Sequence, residues 1–258
     1  MSILKYFTRT DEADYILYSL KNNKHGELVK SIFKHFRTFY IGDVELKDKA
    51  NLNQITPTEF LREYILPDKG SIMSGDFGEI CSFLIASEKS KKEKKPVYGP
   101  LKWRWKDKNK ASLHTDCILF YRKNFKTAST EDFLISIESK MKATPSKKKH
   151  RIQDAIDGAA DDKLFRLALT LKWLERMYAK EGNIKEKLRL ERFQNPAKYG
   201  GYDIRNKAYA FIDERFLKEE ESKAIENNHN IIVIVFSIEK LKEAYEQTFE
   251  SIFRNGTI

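Results

Sequence analysis

The sequence is poor in the features that staple or anchor a chain. It has only two cysteines, Cys81 and Cys117, both in apolar stretches. No disulfide framework is expected, and the pair reads as buried thiols of a cytoplasmic protein. No apolar run approaches the ~18 residues that cross a bilayer, and the opening MSILKYFTRTDEAD lacks the apolar stretch of a secretory signal. No membrane span is therefore expected. The five histidines, His25, His35, His114, His150 and His229, lack zinc-type spacing with the cysteines, which argues against a zinc site. Gly75 and Gly78 are not followed by Gly-Lys-Ser/Thr, so no P-loop and no ATP motor is visible. No Gly-x-Ser-x-Gly elbow of a serine hydrolase is present. Prolines number only 6 and no solenoid period repeats, while aromatics reach 12%, which argues against disorder.

What the chain does have is charge. Lysine and arginine number 48 against 38 aspartates and glutamates, a surplus of +10 over 258 residues. That favours a polyanionic partner, nucleic acid before an anionic membrane. The length corresponds to one large domain or one domain with an elaboration, at roughly 150 residues per domain.

Residues 1–70 read as a mainly helical extension that could dock a partner, and 71–258 as the core. Ala13 to Leu20 has helical apolar spacing, and Leu28, Val29, Ile32, Phe33 and Phe36 form a helical stripe. Thr56-Pro57-Thr58-Glu59 is a helix start, with Thr56 as cap and Glu59 closing a capping box. Phe77, Ile80, Cys81, Leu84 and Ile85 make one apolar helix face with Glu79 at its flank, and the basic stretch Lys89–Lys95 reads as an exposed loop. Three strand candidates follow. Leu101, Trp103 and Trp105 alternate with Lys102, Arg104 and Lys106; His114 to Arg122 carries Asp116; Phe133 to Met141 ends in Glu138-Ser139-Lys140. A long helical region follows Pro145 and stops at Gly182-Asn183. Residues 183–206 are polar with turn signals, Ala208 to Ile212 suggests a short strand, and Ile231 to Phe236 a buried central one. Ser237 is expected to cap the last amphipathic helix. The order predicts an α/β fold, a mixed sheet covered by helices.

The chemistry concentrates on Asp116 and Glu138-Ser139-Lys140. Strand pleating puts Glu138 and Lys140 on one face, and hairpin pairing would bring Asp116 to Glu138. Two carboxylates can bind one or two Mg²⁺ ions through oxygen, and the metal lowers the pKa of bound water and stabilises charge on a phosphodiester. A neighbouring lysine orients that water or helps deprotonate it. Glu79 is a plausible third carboxylate. The bland alternative is that a Glu-x-Lys triplet simply faces solvent. The apolar strand behind Glu138 and the acidic residue opening the neighbouring strand weigh against it.

Gly78-Glu79, Thr115-Asp116 and Glu138-Ser139-Lys140, on helix, strand and strand, resemble the PD-(D/E)xK nuclease superfamily. The combination GDFGEICSFL, SLHTDCILFY and DFLISIESKM is similar to the HamA family, effector nucleases of the Hachiman anti-phage system. The resemblance spans most of the chain and is clearest between Gly75 and Asp162. It departs from the superfamily pattern at Thr115, where a proline is usual. It implies a PD-(D/E)xK core, Mg²⁺ or Mn²⁺ as cofactor, and cleavage of DNA with little sequence specificity. It implies Asp116, Glu138, Glu79 and the Ser139 backbone carbonyl as metal ligands, Lys140 as the catalytic lysine, and a superfamily-2 helicase, HamB, as partner. It also suggests a polar residue from the following helix facing the phosphate, for which Gln153 is the candidate.

Three basic segments, Lys89–Lys95, Lys102–Lys110 and Lys147–Arg151, flank this constellation. As a phosphate-tracking rim they would contribute Lys102, Arg104, Lys147, Lys148, Lys149 and Arg151 to DNA binding; as solvated loops they would do nothing specific. Trp103 and Trp105 could stack on bases, but their alternation favours core packing. His114, two residues before Asp116, is a possible site residue. The rival to an enzyme is a nuclease-like module that binds DNA or the helicase without cutting. Degenerate modules of that kind usually lose the Asp or the Lys, and this chain keeps both.

Overall fold

The computed structural model describes residues 2–111, 114–146 and 148–254. At its centre lies a six-stranded sheet of β1 (Phe7–Asp11), β2 (Ile16–Leu20), β3 (Cys117–Tyr121), β4 (Phe133–Lys142), β5 (Asp203–Asp213) and β6 (Ile232–Ile238), in spatial order β1-β2-β6-β5-β4-β3. The four inner strands β2, β6, β5 and β4 run parallel, and antiparallel β1 and β3 close the two edges. The helices are α1 (His25–Tyr40), α2 (Asp43–Leu52), α3 (Pro57–Phe60), α4 (Ser71–Lys92), α5 (Arg151–Asp161), α6 (Leu167–Lys180), α7 (Ile184–Gln194), α8 (Pro196–Tyr199), α9 (Glu214–Glu221) and α10 (Leu241–Arg254). The expected α/β class, a mixed sheet flanked by helices, is what the chain forms.

Both faces of the parallel strands are covered, which is why β6 reads as an unbroken apolar run. On one face Tyr209, Phe211 and Phe236 pack with Phe36 of α1, Phe77 of α4 and Phe249 of α10. On the other, Ala208 and Ala210 meet Ala155, Ile156 and Ala159 of α5. Small residues on both sides let α5 lie close to the sheet, which matters for the site below. Beyond α5, Leu171 and Leu174 of α6 and Phe193 of α7 cover Ile118, Phe120 and Leu134.

The helix starting at Thr56 has the expected capping box with Glu59. Other expectations need correction. Residues 13–20 are not helical: Ile16–Leu20 is β2, whose Leu17 and Tyr18 bury on opposite faces. Burial on both sides removes the period-two signal from so short a segment. Segment 1–70 therefore supplies two strands of the common sheet as well as helices, and its apolar residues join the same cluster as those of α4 and α10. Lys102–Arg104 is a turn of 3₁₀ helix, not a strand. It drives Trp103 inward against Phe39 and Phe83. Lys89–Lys92 still belongs to α4. Residues 184–194 form α7, which stays polar because only Leu190, Arg192 and Phe193 are buried.

The N-terminus of α10 is held from another element. Ser237 lies within β6, and the Leu241 amide donates instead to Asp213 Oδ2, 3.0 Å away. Asp213 also accepts from the Arg215 amide and from its Nε and Nη2, at 3.2, 2.7 and 3.0 Å. Burial pushes the Asp213 carboxyl up, but these donors prevail and hold it below the ordinary aspartate value. Asp213→Ala is expected to lower stability by ~2–4 kcal/mol in urea denaturation, from a lost cap plus orphaned donors. Since the folded pKa is the lower one, the benefit is complete above the unfolded value and fades as pH falls through the folded value. The gap between wild type and variant should therefore narrow in acid.

Candidate functional site

The site forms where β4 outruns β3. Their antiparallel pairing starts at Cys117, opposite Ile137, so Asp116 stands opposite Glu138 just past the end of the ladder. There the Ser139 amide would lack a strand partner. It donates instead to Asp116 Oδ2 at 2.9 Å. In a strand the N–H and C=O of one residue point to the same side, so the Ser139 carbonyl also faces Asp116. Asp116, Glu138 and Lys140 share one sheet face, and Ser139 and Met141 face α4.

Glu138 is 3% exposed. It fits because α5 carries a glycine there: a Cβ on Gly158 would lie 2.6 Å from the Glu138 carboxyl carbon and from Oε1. Gly78 on α4 plays the same part on the other face, where a Cβ would meet Met141 at 2.9 Å and Ser139 Oγ at 3.0 Å. Lys140 Nζ donates to Glu138 Oε1. Arg166 Nη2 donates to Glu138 Oε2 at 2.5 Å and to the Gly158 carbonyl at 2.8 Å, while its Nε donates to Asp162 Oδ1 at 2.5 Å. Asp162 in turn accepts from Thr115 Oγ1 at 2.9 Å, and the Thr115 amide donates to Thr170 Oγ1 at 3.2 Å. Asp162–Arg166 is a π-helical turn between α5 and α6. Such wide turns recur at functional sites, where they re-aim side chains.

Glu79 approaches from α4 and pairs with Lys102, Nζ to Oε2 at 3.1 Å; Lys102 Nζ also donates to the Thr115 carbonyl at 3.2 Å. The electrostatics reflect buried acids held together. Burial first, then the Asp116 charge, pushes the Glu138 carboxyl up to about 7, against Lys140 and Arg166. Burial pushes Glu79 up to about 8, with Asp116 and Asp76 adding to it and Lys102 opposing. Burial acts to lower the Lys140 pKa, but Glu138 and Asp116 prevail and raise it, so its Nζ stays protonated.

The sequence-predicted residues thus separate. Asp116, Glu138, the Ser139 backbone and Lys140 come together, with Glu79 on the far side of Asp116. Lys102 is no surface contact: it is 5% exposed and committed to Glu79. Much of its segment is likewise spent on acids, Lys106 on Asp76 and Lys108 on Asp68. Arg104 is exposed and donates to the Thr38 carbonyl at 2.7 Å. Lys147 lies outside the described residues. Lys148 and Lys149 are exposed, and Arg151 pairs with Asp154 at 2.9 Å. Lys149 and Arg151 line an open cleft of about 570 Å³ with Lys69, Lys242 and Met141, so it reaches the end of β4. Gln153 makes its contacts elsewhere, with Asp157 of its own helix and with Glu226. It pins the Glu226 backbone, donating to its carbonyl at 3.0 Å and accepting from its amide at 2.9 Å. His114 stacks on Trp173, with ring centroids 4.5 Å apart. The helical residue that reaches Glu138 is Arg166, which sequence reasoning missed; the glycine inside an alanine-rich helix, Gly158, was the available signal of a close approach.

Among the described residues no three His, Cys, Asp or Glu side chains gather tightly enough to cage a metal. Mg²⁺ does not ask for that: it is commonly held by one or two carboxylates, with waters and substrate phosphate completing the shell. Asp116, Glu138 and the Ser139 carbonyl are hard oxygen donors of this kind, and the half-buried Asp116 beside the buried Glu138 puts two like charges where a shared cation is favoured.

The HamA family model matches residues 5–252 of the 258. No curated protein matches. The chain belongs to the HamA family and is a component of a Hachiman defence system.

Gly158→Ala tests how tightly Glu138 is held. At an ordinary mid-helix position the change would stabilise by up to ~1 kcal/mol. Here the methyl would collide with a carboxylate pinned from two sides, and a loss of ~1–3 kcal/mol in urea denaturation is expected. A stabilised variant would mean that Glu138 can move aside.

Proposed function

We propose that this HamA-family chain is a metal-dependent deoxyribonuclease that hydrolyses phosphodiester bonds with little sequence preference. The observation that carries the reading is the juxtaposition of Asp116 and Glu138 at the open end of the β3–β4 ladder, with Lys140 beside them. Mg²⁺ or Mn²⁺ would be held by Asp116, Glu138 and the Ser139 carbonyl. When bound it would supply an acidified water and a Lewis acid for the phosphate.

The chain's own residues do the rest. Asp116 is oriented by the Ser139 amide, so its free oxygen has little room to wander. Lys140 is partly exposed and its Nζ donates to Glu138, which places it to orient the attacking water and to support developing charge on the phosphoryl oxygens. Lys149, Arg151, Lys69 and Lys242 along the adjoining cleft supply charge that attracts a phosphate backbone without reading bases. An unrestrained activity of this kind would damage the host. Control by a superfamily-2 helicase, HamB, is therefore part of the proposal and is supported by family membership.

Plasmid DNA incubated with the purified protein and Mg²⁺, alone and with its helicase on DNA, is the direct test. Asp116→Ala, or Glu138→Ala with Lys140→Ala, is expected to lower cleavage by at least ~10²-fold, and a chelator should abolish it. If wild type never exceeds the double variant, the chain is a silent DNA- or helicase-binding module.

A further inference from the structure

Arg166 raises a question the nuclease reading leaves open. Its Nη2 sits 2.5 Å from Glu138 Oε2 while Lys140 occupies Oε1, so both oxygens of a proposed metal ligand already face cations. A divalent ion on Oε2 would lie within a few ångströms of the guanidinium, in a buried setting where like charges repel strongly. One of the two has to give way.

The structure holds a place for the guanidinium to go. Arg166 Nε is anchored on Asp162 Oδ1, but Asp162 Oδ2, fully buried, has no hydrogen-bond partner among the described residues. A buried, unpartnered carboxylate oxygen is costly. A rotation about the Nε anchor would carry Nη2 from Glu138 Oε2 to this vacant acceptor and complete a side-on, two-bond pair. The chain already uses that geometry elsewhere: Arg215 Nε and Nη2 bind the two oxygens of Asp213 at 2.7 and 3.0 Å.

We propose that Arg166 is a two-position switch at the metal site. Without metal its Nη2 caps Glu138 Oε2; with metal it crosses to Asp162 Oδ2 and leaves Glu138 free to ligate. Arg166 is thus a positioning residue that sets the threshold for metal entry. The switch rests on the metal-dependent reading above.

The test uses Mn²⁺ binding, which needs no turnover. Calorimetric titration of wild type, Arg166→Gln and Arg166→Lys, each confirmed folded by circular dichroism, should show Mn²⁺ bound about tenfold tighter by the glutamine variant, the scale of outer-shell effects on metal sites. The lysine variant should fall between the two, because it keeps the charge but cannot span both acids. A Mn²⁺-soaked crystal of wild type should show Nη2 on Asp162 Oδ2. The switch is overturned by unchanged or weaker Mn²⁺ binding in folded Arg166→Gln, by Mn²⁺ on Glu138 with Arg166 still in place, or by no Mn²⁺ binding in any of the three. DNA cleavage by wild type together with unchanged Mn²⁺ affinity in the variants would sink the switch and leave the nuclease. Switching without cleavage in any helicase-bound state would sink the nuclease and leave the switch.

Discussion

The hydrogen bond from the Ser139 amide to Asp116 is the hinge of this molecule. It exists because β4 continues after β3 has begun to pair, which leaves a backbone donor with no strand beside it. A backbone amide withdrawn from water cannot stay unpaired cheaply. The residue that meets its need is a carboxylate, so the same contact that ends the ladder also fixes an acid next to Glu138. Around these two acids the protein has gathered Lys140, Arg166 and Lys102. Each one offsets part of the cost of burying negative charge, and none removes it: Glu138 and Glu79 both remain well above the ordinary glutamate value.

The sheet provides the rigidity this arrangement needs. Four parallel strands with covered faces form the inner part, and β4 lies within the sheet beside β5 over its whole length. The alanines of α5 and β5 bring the helix close, and Gly158 removes the last side chain between helix and Glu138. From the other side Gly78 does likewise for Ser139 and Met141. Two helices thus clamp Glu138, Ser139 and Met141 of one strand from opposite faces. The next connection, the π turn at Asp162–Arg166, sends a guanidinium back over the same strand.

The positive surplus is less available than composition suggests. Lys102 and Lys106 neutralise buried acids, and Lys142 is buried against Glu220. The lysines left to a polyanion are those with exposed heads, including Lys148 and Lys149 beside the end of β4. Part of the basic character serves to hold the acidic centre together.

How much of this was legible beforehand follows from the range of the interactions involved. Asp116, Glu138 and Lys140 were readable because alternation along a strand and pairing of adjacent strands are local rules, and they place those groups on one face. The Thr56 capping box and the α1 stripe were readable for the same reason. The strand at Ile16–Leu20 was not, because burial on both faces erases its period, and Trp103 and Trp105 imitated a strand pattern that a 3₁₀ turn satisfies equally well. Gln153 and Arg166 show the limit most plainly. Both lie in the helical region after β4, and the family resemblance suggested the nearer one as a residue facing the phosphate. Which side chain reaches Glu138 depends on the phase change at the π turn and on how closely α5 approaches β4, and both are set by packing between elements distant in the chain. The sequence alone therefore determined which acids and which lysine share one end of the sheet, since alternation and strand pairing are local. Only the tertiary structure decided which cations hold those acids, because ion pairing depends on distances that no local pattern encodes.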